Sequence, residues 1–141
     1  MRILGLDIGE KRIGVAISDE TQTIAQGLKT LSAEKAVFSK IEDIISEYDV
    51  KEVVVGLPIK MNGTMGLAAE KVLGFSDKLK KRLKIAVYTF DERLTTRQGE
   101  VLMLQADISR KKRKMKIDKI AAQIMLQTYM DSNRASQKCR P

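Results

Sequence analysis

The chain has 141 residues, 43% of them hydrophobic, with a formal net charge of +8 and one cysteine, which is typical of a single folded domain. No apolar run approaches the ~18 residues of a membrane span and no signal peptide is recognisable, so we expect a cytoplasmic protein without membrane association. The absence of histidine excludes serine–histidine and cysteine–histidine catalysis as well as zinc held by histidine, and the lone Cys139 excludes an intrachain disulfide.

The first seventeen residues predict two strands joined by a tight turn. The apolar run over residues 3–8 contains one carboxylate, Asp7, and Gly9 begins a polar turn before the apolar run resumes at Ile13. A carboxylate in such a strand is costly to bury unless it is paired or binds a metal. Asp7 is therefore either a solvated strand-end residue or the first member of a functional site.

The next segment predicts a strand, a helix and a buried strand. Residues 23–31 favour a third strand, Ser32 suits a helix N-cap, and apolar residues recur at helical spacing as far as Tyr48. Residues 49–52 close this helix, and residues 53–55 form a short buried strand, which is typical of a parallel crossover. The loop that follows holds Asn62, which can either contact a phosphate or base or simply form a turn.

Alternation of helix and strand continues to the C-terminal part. Thr64 can cap a helix with an apolar stripe at Ala68, Val72, Phe75, Leu79 and Leu83. A strand over residues 85–90, a helix over 95–105 and a last helix over about 117–129 follow. The order β-β-β-α-β-α-β-α-α predicts an α/β domain over residues 1–132, with a mixed sheet covered by helices and a polar tail over 133–141.

Acidic residues stand at several element ends, namely Asp7, the Asp91–Glu92 pair, and Asp118 in the first turn of the last helix. Each alone has a structural explanation. If they meet at one rim of the sheet, they would repel one another unless divalent cations neutralise them. Two magnesium ions about 4 Å apart can then activate a water and stabilise the leaving oxygen of a phosphodiester. Carboxylates without histidine favour Mg²⁺ or Mn²⁺.

The basic residues are concentrated in one run. Residues 110–119 contain seven basic residues and one aspartate, a net charge of +6 out of the chain's +8. Such a cluster is typical of contact with a polyanion. A solvated loop is the plainer alternative, and contact with anionic lipid is disfavoured because no amphipathic helix with apolar anchors adjoins it.

The segments LDIGEKRIGVAISD, VVGLPIKMNGT, FDERLTT and KIDKIAAQIML, in this order, resemble the bacterial YqgF family of RuvX-type, RNase H-like nucleases. The resemblance implies a five-stranded mixed sheet, its first three strands antiparallel and the rest parallel, with helices on both faces. It implies an endonuclease that uses Mg²⁺ or Mn²⁺ in maturing the 5′ end of pre-16S rRNA, while some members are described as Holliday-junction resolvases.

The resemblance also assigns roles to residues. The catalytic acids would be Asp7, Asp91, Glu92 and Asp118, with Asp7, Glu92 and Asp118 as metal ligands; Glu92 is preferred to Asp91 by analogy with other RNase H-like enzymes. The expected partner is structured RNA or branched DNA, bound by a monomer or weak homodimer. The predicted nucleic-acid contacts are Lys11, Arg12, Asn62, Arg93, Arg110, Lys111, Lys112, Arg113, Lys114 and Lys116.

Other functions fit parts of the pattern. A junction-resolving DNase would use the same chemistry on a different substrate. The hairpin with Asp7, Gly9 and Gly14 also occurs in actin-like and sugar-kinase ATPases, which normally need two such domains and a longer chain. A non-catalytic RNA-binding factor would keep the basic run and use the acids structurally.

Overall fold

The computed structural model describes residues 1–9, 11–57, 66–91 and 119–132, with residue 91 described by its backbone. The predicted helix over 95–105, residues 110–118 of the basic run and the polar tail lie outside these ranges, as does most of the loop that holds Asn62. The described elements are β1 (Arg2–Ile8), β2 (Arg12–Ser18), β3 (Ala25–Ser32), α1 (Val37–Tyr48), β4 (Val50–Leu57), α2 (Leu67–Arg82), β5 (Ala86–Asp91) and α3, seen over residues 119–132.

The strands form one five-stranded sheet in the order β3-β2-β1-β4-β5. The first three strands are antiparallel to their neighbours, whereas β4 pairs in parallel with both β1 and β5. This arrangement confirms the predicted mixed sheet. It also places β1, which carries Asp7, at the centre of the sheet.

Each face of the sheet is covered by helix. Alternate residues of a strand point to opposite faces. Leu4 and Leu6 of β1 pack with Val53 and Val55 of β4 against α1 and α2. Ile3 and Val54 belong to a second cluster, which includes Ala122, Met125 and Leu126 of α3. Helices therefore lie on both faces, as predicted, and we call the two sides the α1–α2 face and the α3 face.

Several predicted helix boundaries were wrong. Ser32 is not an N-cap, because it is the last residue of β3 and pairs with Arg12; α1 begins at Val37 after Ala36. Residues 50–52 belong to β4, since Asp49 ends α1 with a left-handed backbone (φ 53°) and the strand starts at once.

The predicted start and stripe of α2 also need correction. Gly66, and not Thr64, is the N-cap residue of this helix. Its buried positions include Ala69 and Ser76, whereas Ala68 is exposed. The error at Ala68 arises because two adjacent alanines fit the apolar pattern equally well, and Ser76 was missed because its hydroxyl suggests an exposed position.

Candidate active site at the carboxyl end of the first strand

Asp7 lies near the carboxyl end of the central strand, on the α3 face. It follows Ile3 and Gly5 in the alternation along β1, and Gly5 lies directly beneath Leu126 of α3. In the antiparallel register Asp7 pairs with Gly14 of β2. The side chain is half-buried, and Asp7 belongs to neither hydrophobic cluster. The strand therefore holds Asp7 rigidly at the rim of the sheet.

The nearest positions on the same face are glycines. Gly5 lies two residues before Asp7 and beneath Leu126, Gly14 is opposite Asp7, and Gly56 of β4 comes one step after the Leu6–Val55 pair. Because glycine has no side chain, Gly14 and Gly56 place no side-chain atoms of their own beside the carboxylate. Glycine inside strands commonly marks a point where a ligand or another backbone approaches closely. The Asp7 carboxylate therefore stands beside strand positions that lack side chains, and we call this part of the sheet edge the Asp7 rim.

Gly9 is required by the turn between β1 and β2. Its backbone N–H donates to the Arg12 carbonyl at 2.8 Å, and a Cβ at position 9 would lie 2.8 Å from that same oxygen. A contact that short is too close for a carbon atom, so the turn requires glycine. This tight closure fixes where β2 begins and thereby fixes the position of Arg12.

Arg12 and Lys11, two of the predicted nucleic-acid contacts, lie close to Asp7 along the same hairpin. Arg12 shares the α3 face with Gly14 and is a diagonal cross-strand neighbour of Asp7, within reach of a long side chain. Lys11 is exposed in the turn, and its carbonyl accepts the N–H of Ala33 at 3.0 Å. Both cations are thus carried by the hairpin that carries Asp7.

The carboxyl end of β5 reaches the same rim. Asp91 ends β5 and pairs with Leu57, which ends β4, while Leu6 of β1 pairs with Val55. Strands are about 4.8 Å apart, so the backbones of Asp7 and Asp91 are about 10 Å apart across β4. Glu92, Asp118, Asn62, Arg93 and the basic residues 110–116 lie outside the described residues. Within the described ranges, no group of three or more acidic or cysteine residues is arranged to hold a metal ion.

Helix α3 is fixed to the sheet by two glutamines. Gln123 Oε1 accepts the backbone N–H of Gly27 at 3.1 Å, and Gln127 Oε1 accepts that of Ala25 at 2.8 Å. The Gln127 amide also donates to the Thr23 carbonyl at 2.9 Å. A Cβ at Gly27 would lie 2.7 Å from the side chain of Lys119, so this contact is close. We call the bonds made by Gln123 and Gln127 the glutamine latch.

The glutamine latch sets the direction of α3. Gln123 binds Gly27 of β3, and Gln127, one turn later in the helix, binds Ala25. Ala25 pairs with the last residue of β2, which lies beside the amino end of β1. The helix therefore runs toward the amino end of β1. The first described residue of α3, Lys119, is therefore at the end of the helix nearer the Asp7 rim. Sequence reasoning missed the latch; the i, i+4 spacing of the two glutamines on a helix was the available signal.

A second polar contact on the α3 face lies on the other side of β1, over β4. The Tyr129 hydroxyl of α3 donates to Glu52 Oε1 of β4 at 3.3 Å. Burial raises the pKa of Glu52 above its ordinary value, and the hydrogen bond from Tyr129 opposes that shift. This contact holds the C-terminal half of α3 over β4.

Comparisons with known proteins agree on one family. A family model described as "RuvX: Holliday junction resolvase" matches residues 1–132. A protein of Caldanaerobacter subterraneus named "Putative pre-16S rRNA nuclease" is 52% identical over 139 residues, covering 96% of this chain and all of that protein. A protein of the same name from Thermoanaerobacter pseudethanolicus is 53% identical over 137 residues, covering 95% of this chain and 99% of that protein.

Solved structures share the fold at low sequence identity. RuvC of T. thermophilus in complex with a Holliday junction substrate has a TM-score of 0.58 at 12% identity, covering 96% of this chain and 97% of the other. The fowlpox virus resolvase with Holliday junction DNA has a TM-score of 0.54 at 18% identity, covering 94% and 99%. These likenesses agree with the predicted RNase H-like architecture.

None of the described helices has the length and apolar character needed to cross a membrane. The family model spans all four segments that carried the resemblance, and the relatives extend over nearly the whole chain. The chain therefore belongs to the RuvX family of RNase H-like nucleases.

Proposed function

We propose that this chain is a cytoplasmic endonuclease, dependent on Mg²⁺ or Mn²⁺, that acts on pre-16S rRNA during maturation of its 5′ end. The observation that carries the proposal is the Asp7 carboxylate standing among glycines at the rim of the sheet. Family membership supports the nuclease class over an ATPase, and the names of the closely similar relatives support the substrate.

The donor set fits a hard divalent cation. Oxygen ligands are those that Mg²⁺ and Mn²⁺ prefer, and Gly14 and Gly56 add no side chain beside Asp7 that would obstruct an ion and its waters. We propose Asp7, Glu92 and Asp118 as the ligands. Glu92 directly follows Asp91, and Asp118 directly precedes Lys119 at the rim end of α3.

The alternation of β5 supports Glu92 over Asp91 as the ligand. Phe90 packs against Tyr129 on the α3 face, with ring centroids 5.7 Å apart. Val87 belongs to the cluster on the opposite face. In a strand, positions of the same parity share a face, and if this alternation continued for one residue beyond Asp91, position 92 would fall on the α3 face with Phe90. Asp7 lies on that face too.

The chain's own residues would then divide the work. With no side chains at Gly14 and Gly56, a sugar–phosphate backbone would approach the carboxylate, and Lys11, Arg12 and Arg93 would hold the phosphates on either side of the cleaved bond. Asn62 and the basic residues 110–116 would extend that contact. When bound, the divalent cation supplies charge stabilisation at the phosphodiester and a water of lowered pKa.

Holliday-junction resolution is the second candidate, favoured by the printed description of the family model. A cleavage assay distinguishes the two candidates: the purified protein is incubated with a pre-16S rRNA fragment and, in parallel, with a four-way DNA junction, in Mg²⁺ and in EDTA. We expect Mg²⁺-dependent cleavage of the RNA. Symmetric nicks in the junction with the RNA intact would select the resolvase, which needs a dimer to match the two-fold substrate.

A non-catalytic role is the remaining outcome of that assay. Binding of both substrates without cleavage, with Mg²⁺ or with Mn²⁺, would contradict the nuclease proposal and leave an RNA-binding factor. Binding is measured on the same preparations by fluorescence anisotropy, so that an inactive but folded protein is recognised.

The basic run gives a separate prediction about affinity. Replacing Arg110, Lys112 and Lys114 by Gln removes three positive charges, so nucleic-acid binding should weaken. The slope of the logarithm of the binding constant against the logarithm of salt concentration should become less steep by about two to three. An unchanged slope would assign the run to a solvated loop. Replacing Lys51, Lys81 and Lys84, which are exposed at the amino end of the parallel strands and so opposite the Asp7 rim, provides a control with the same change in charge.

A further inference from the structure

A groove of about 480 Å³ opens on the α1–α2 face at the same end of β1 as Asp7. Ile8 and Ile13 form part of its apolar floor, and Phe38 of α1 and Phe75 of α2 line it as a pair in contact with each other. The two rings stack with centroids 4.9 Å apart. Ile8 and Gly9, which line the groove, immediately follow Asp7, so it is separated from the proposed active site only by the thickness of the sheet edge.

Gly74 has no structural reason to be glycine. It lies inside helix α2, where glycine costs about 1 kcal/mol relative to alanine. Its backbone is not left-handed, and a Cβ at this position would have no atom within 4 Å. The fold therefore tolerates a side chain here, but Gly74 lines the groove, and a side chain would project into it. The groove thus remains open at a cost in helix stability.

The rim of the groove is positively charged. Lys35, Lys71 and Lys78 line it together with one acid, Glu34. The Glu34 carboxylate lies 3.2 Å from Lys40 Nζ, so its charge is compensated from outside the groove. All three rim lysines are exposed. An apolar floor beneath a cationic rim suits an occupant with flat apolar groups and negative charge.

We propose that this groove binds a single-stranded segment of nucleic acid next to the cleavage site, with a base on the apolar floor and phosphates on the rim lysines. Aromatic and apolar contact with bases combined with a cationic groove is how proteins hold single strands. The volume is that of a pocket for one or two nucleotides. The inference rests on the proposed function only in taking nucleic acid as the substrate.

The test fills the groove without damaging the fold. Gly74→Leu places a side chain in the groove, whereas Gly74→Ala raises helix propensity similarly and leaves most of the groove open. Binding of a fluorescein-labelled octauridylate is measured by anisotropy in EDTA, so that cleavage is not required. We expect about a tenfold loss of affinity for Gly74→Leu, since base contacts are worth about 1–3 kcal/mol each. Gly74→Ala should lose much less affinity than Gly74→Leu, and both variants should melt at or above the wild-type temperature.

A charge-matched pair tests the rim. Lys71→Gln/Lys78→Gln removes two rim lysines from α2, and Lys80→Gln/Lys81→Gln removes two lysines of the same helix that do not line the groove. Only the first pair should weaken octauridylate binding severalfold. Undiminished binding by Gly74→Leu, equal losses in the two lysine pairs, or no binding by the wild type would each overturn the groove proposal. Failure of the nuclease proposal is seen separately, as absence of cleavage by the wild type with Mg²⁺.

Discussion

The two faces of the sheet are built from different kinds of side chain. The α1–α2 face is closed by large branched residues, including Leu4, Leu6, Val53 and Ile41, all without measurable exposure. The α3 face uses small residues, with Gly5, Ala16 and Ala122 at the contact, and it adds the glutamine latch. The first face provides apolar burial, and the second brings a helix close to the strand that carries Asp7.

This difference indicates a division between stability and function. Burying a large aliphatic side chain contributes about 1.5–3 kcal/mol, so the α1–α2 face supplies much of the folding free energy. The α3 face gives up part of that burial for a close helix–strand approach and directional hydrogen bonds. A functional carboxylate requires such precise placement more than it requires a larger core. Substitutions on the two faces should therefore fail in different ways.

The largest expected effect is at Asp7. Asp7→Asn removes a metal ligand while keeping the side-chain shape, so cleavage should fall by about 100-fold or more. Nucleic-acid affinity should change little because the basic residues are unaltered, and melting temperature should change little because Asn keeps the size and hydrogen-bonding capacity of the side chain. Cleavage kinetics on the pre-16S fragment measure the effect. Asp43→Asn, at an exposed position of α1, is the control, and equal rates for the two variants would remove Asp7 from the site.

Next comes a substitution on the α1–α2 face. Leu4→Ala creates a cavity in a fully buried cluster and should lower the free energy of unfolding by about 3 kcal/mol, measured by urea denaturation. Below the unfolding transition, cleavage per folded molecule should stay near the wild-type rate. A large loss of cleavage in the folded variant would contradict the division between the two faces.

The adjacent residue should behave in the opposite way. A Cβ at Gly5 would lie 3.0 Å from Leu126 Cβ, so Gly5→Ala requires α3 to move outward by a few tenths of an ångström. We expect a cost of about 1 kcal/mol in stability and about a tenfold loss of cleavage, since small displacements of catalytic groups are costly. Pairing Gly5→Ala with Leu126→Ala, which relieves the contact, should restore part of the activity.

The glutamine latch should give a smaller change. Gln127→Ala removes the bonds to Ala25 and Thr23 and should cost about 1–2 kcal/mol of stability, seen as a lower melting temperature. Thr128→Ala is the matched control, because among the described residues the Thr128 hydroxyl bonds to the Ile124 carbonyl of its own helix, at 2.8 Å, and to no group of the sheet. Similar melting temperatures for the two variants would show that the latch adds nothing to the packing of α3.

The smallest effect concerns pH at the other end of α3. Burial raises the pKa of Glu52 above its ordinary value of 4.5, so the folded protein favours the protonated form, and ionisation costs stability as pH rises through that range. Glu52→Gln should therefore raise the melting temperature slightly at pH 7, and the gain should disappear well below pH 4.5. Melting curves across pH measure it, and a gain independent of pH would contradict the assignment.

Local pattern and simple topology predicted much of the fold. The Asp7–Gly9 hairpin, the crossover to β4 and the placement of Asp91 at the end of a neighbouring strand follow from strand length, helix periodicity and the parallel pairing rule. The Ser32 error arose because the residue preferences of a segment do not show how far pairing with a neighbouring strand extends it. Backbone pairing here continues as far as Ala33, whose N–H donates to the Lys11 carbonyl at 3.0 Å.

Features that depend on distant contacts could not be predicted. The glutamine latch joins residues 96 to 104 positions apart, and no local pattern indicates which backbone groups Gln123 and Gln127 bind. The groove was missed for a related reason. Gly74 in a sequence indicates only a weakened helix, and its significance appears once α1 and α2 are placed side by side.

The bonds from α3 to β3 have one more consequence. Strand β3 is at the border of the sheet, and an unpaired border strand offers N–H groups to which a strand of another molecule can add, leading to aggregation. Gln123 and Gln127 occupy the N–H groups of Gly27 and Ala25 with side chains of the same polypeptide. The helix thereby protects this border against strand addition, which favours a protein that stays soluble at the concentrations reached during synthesis.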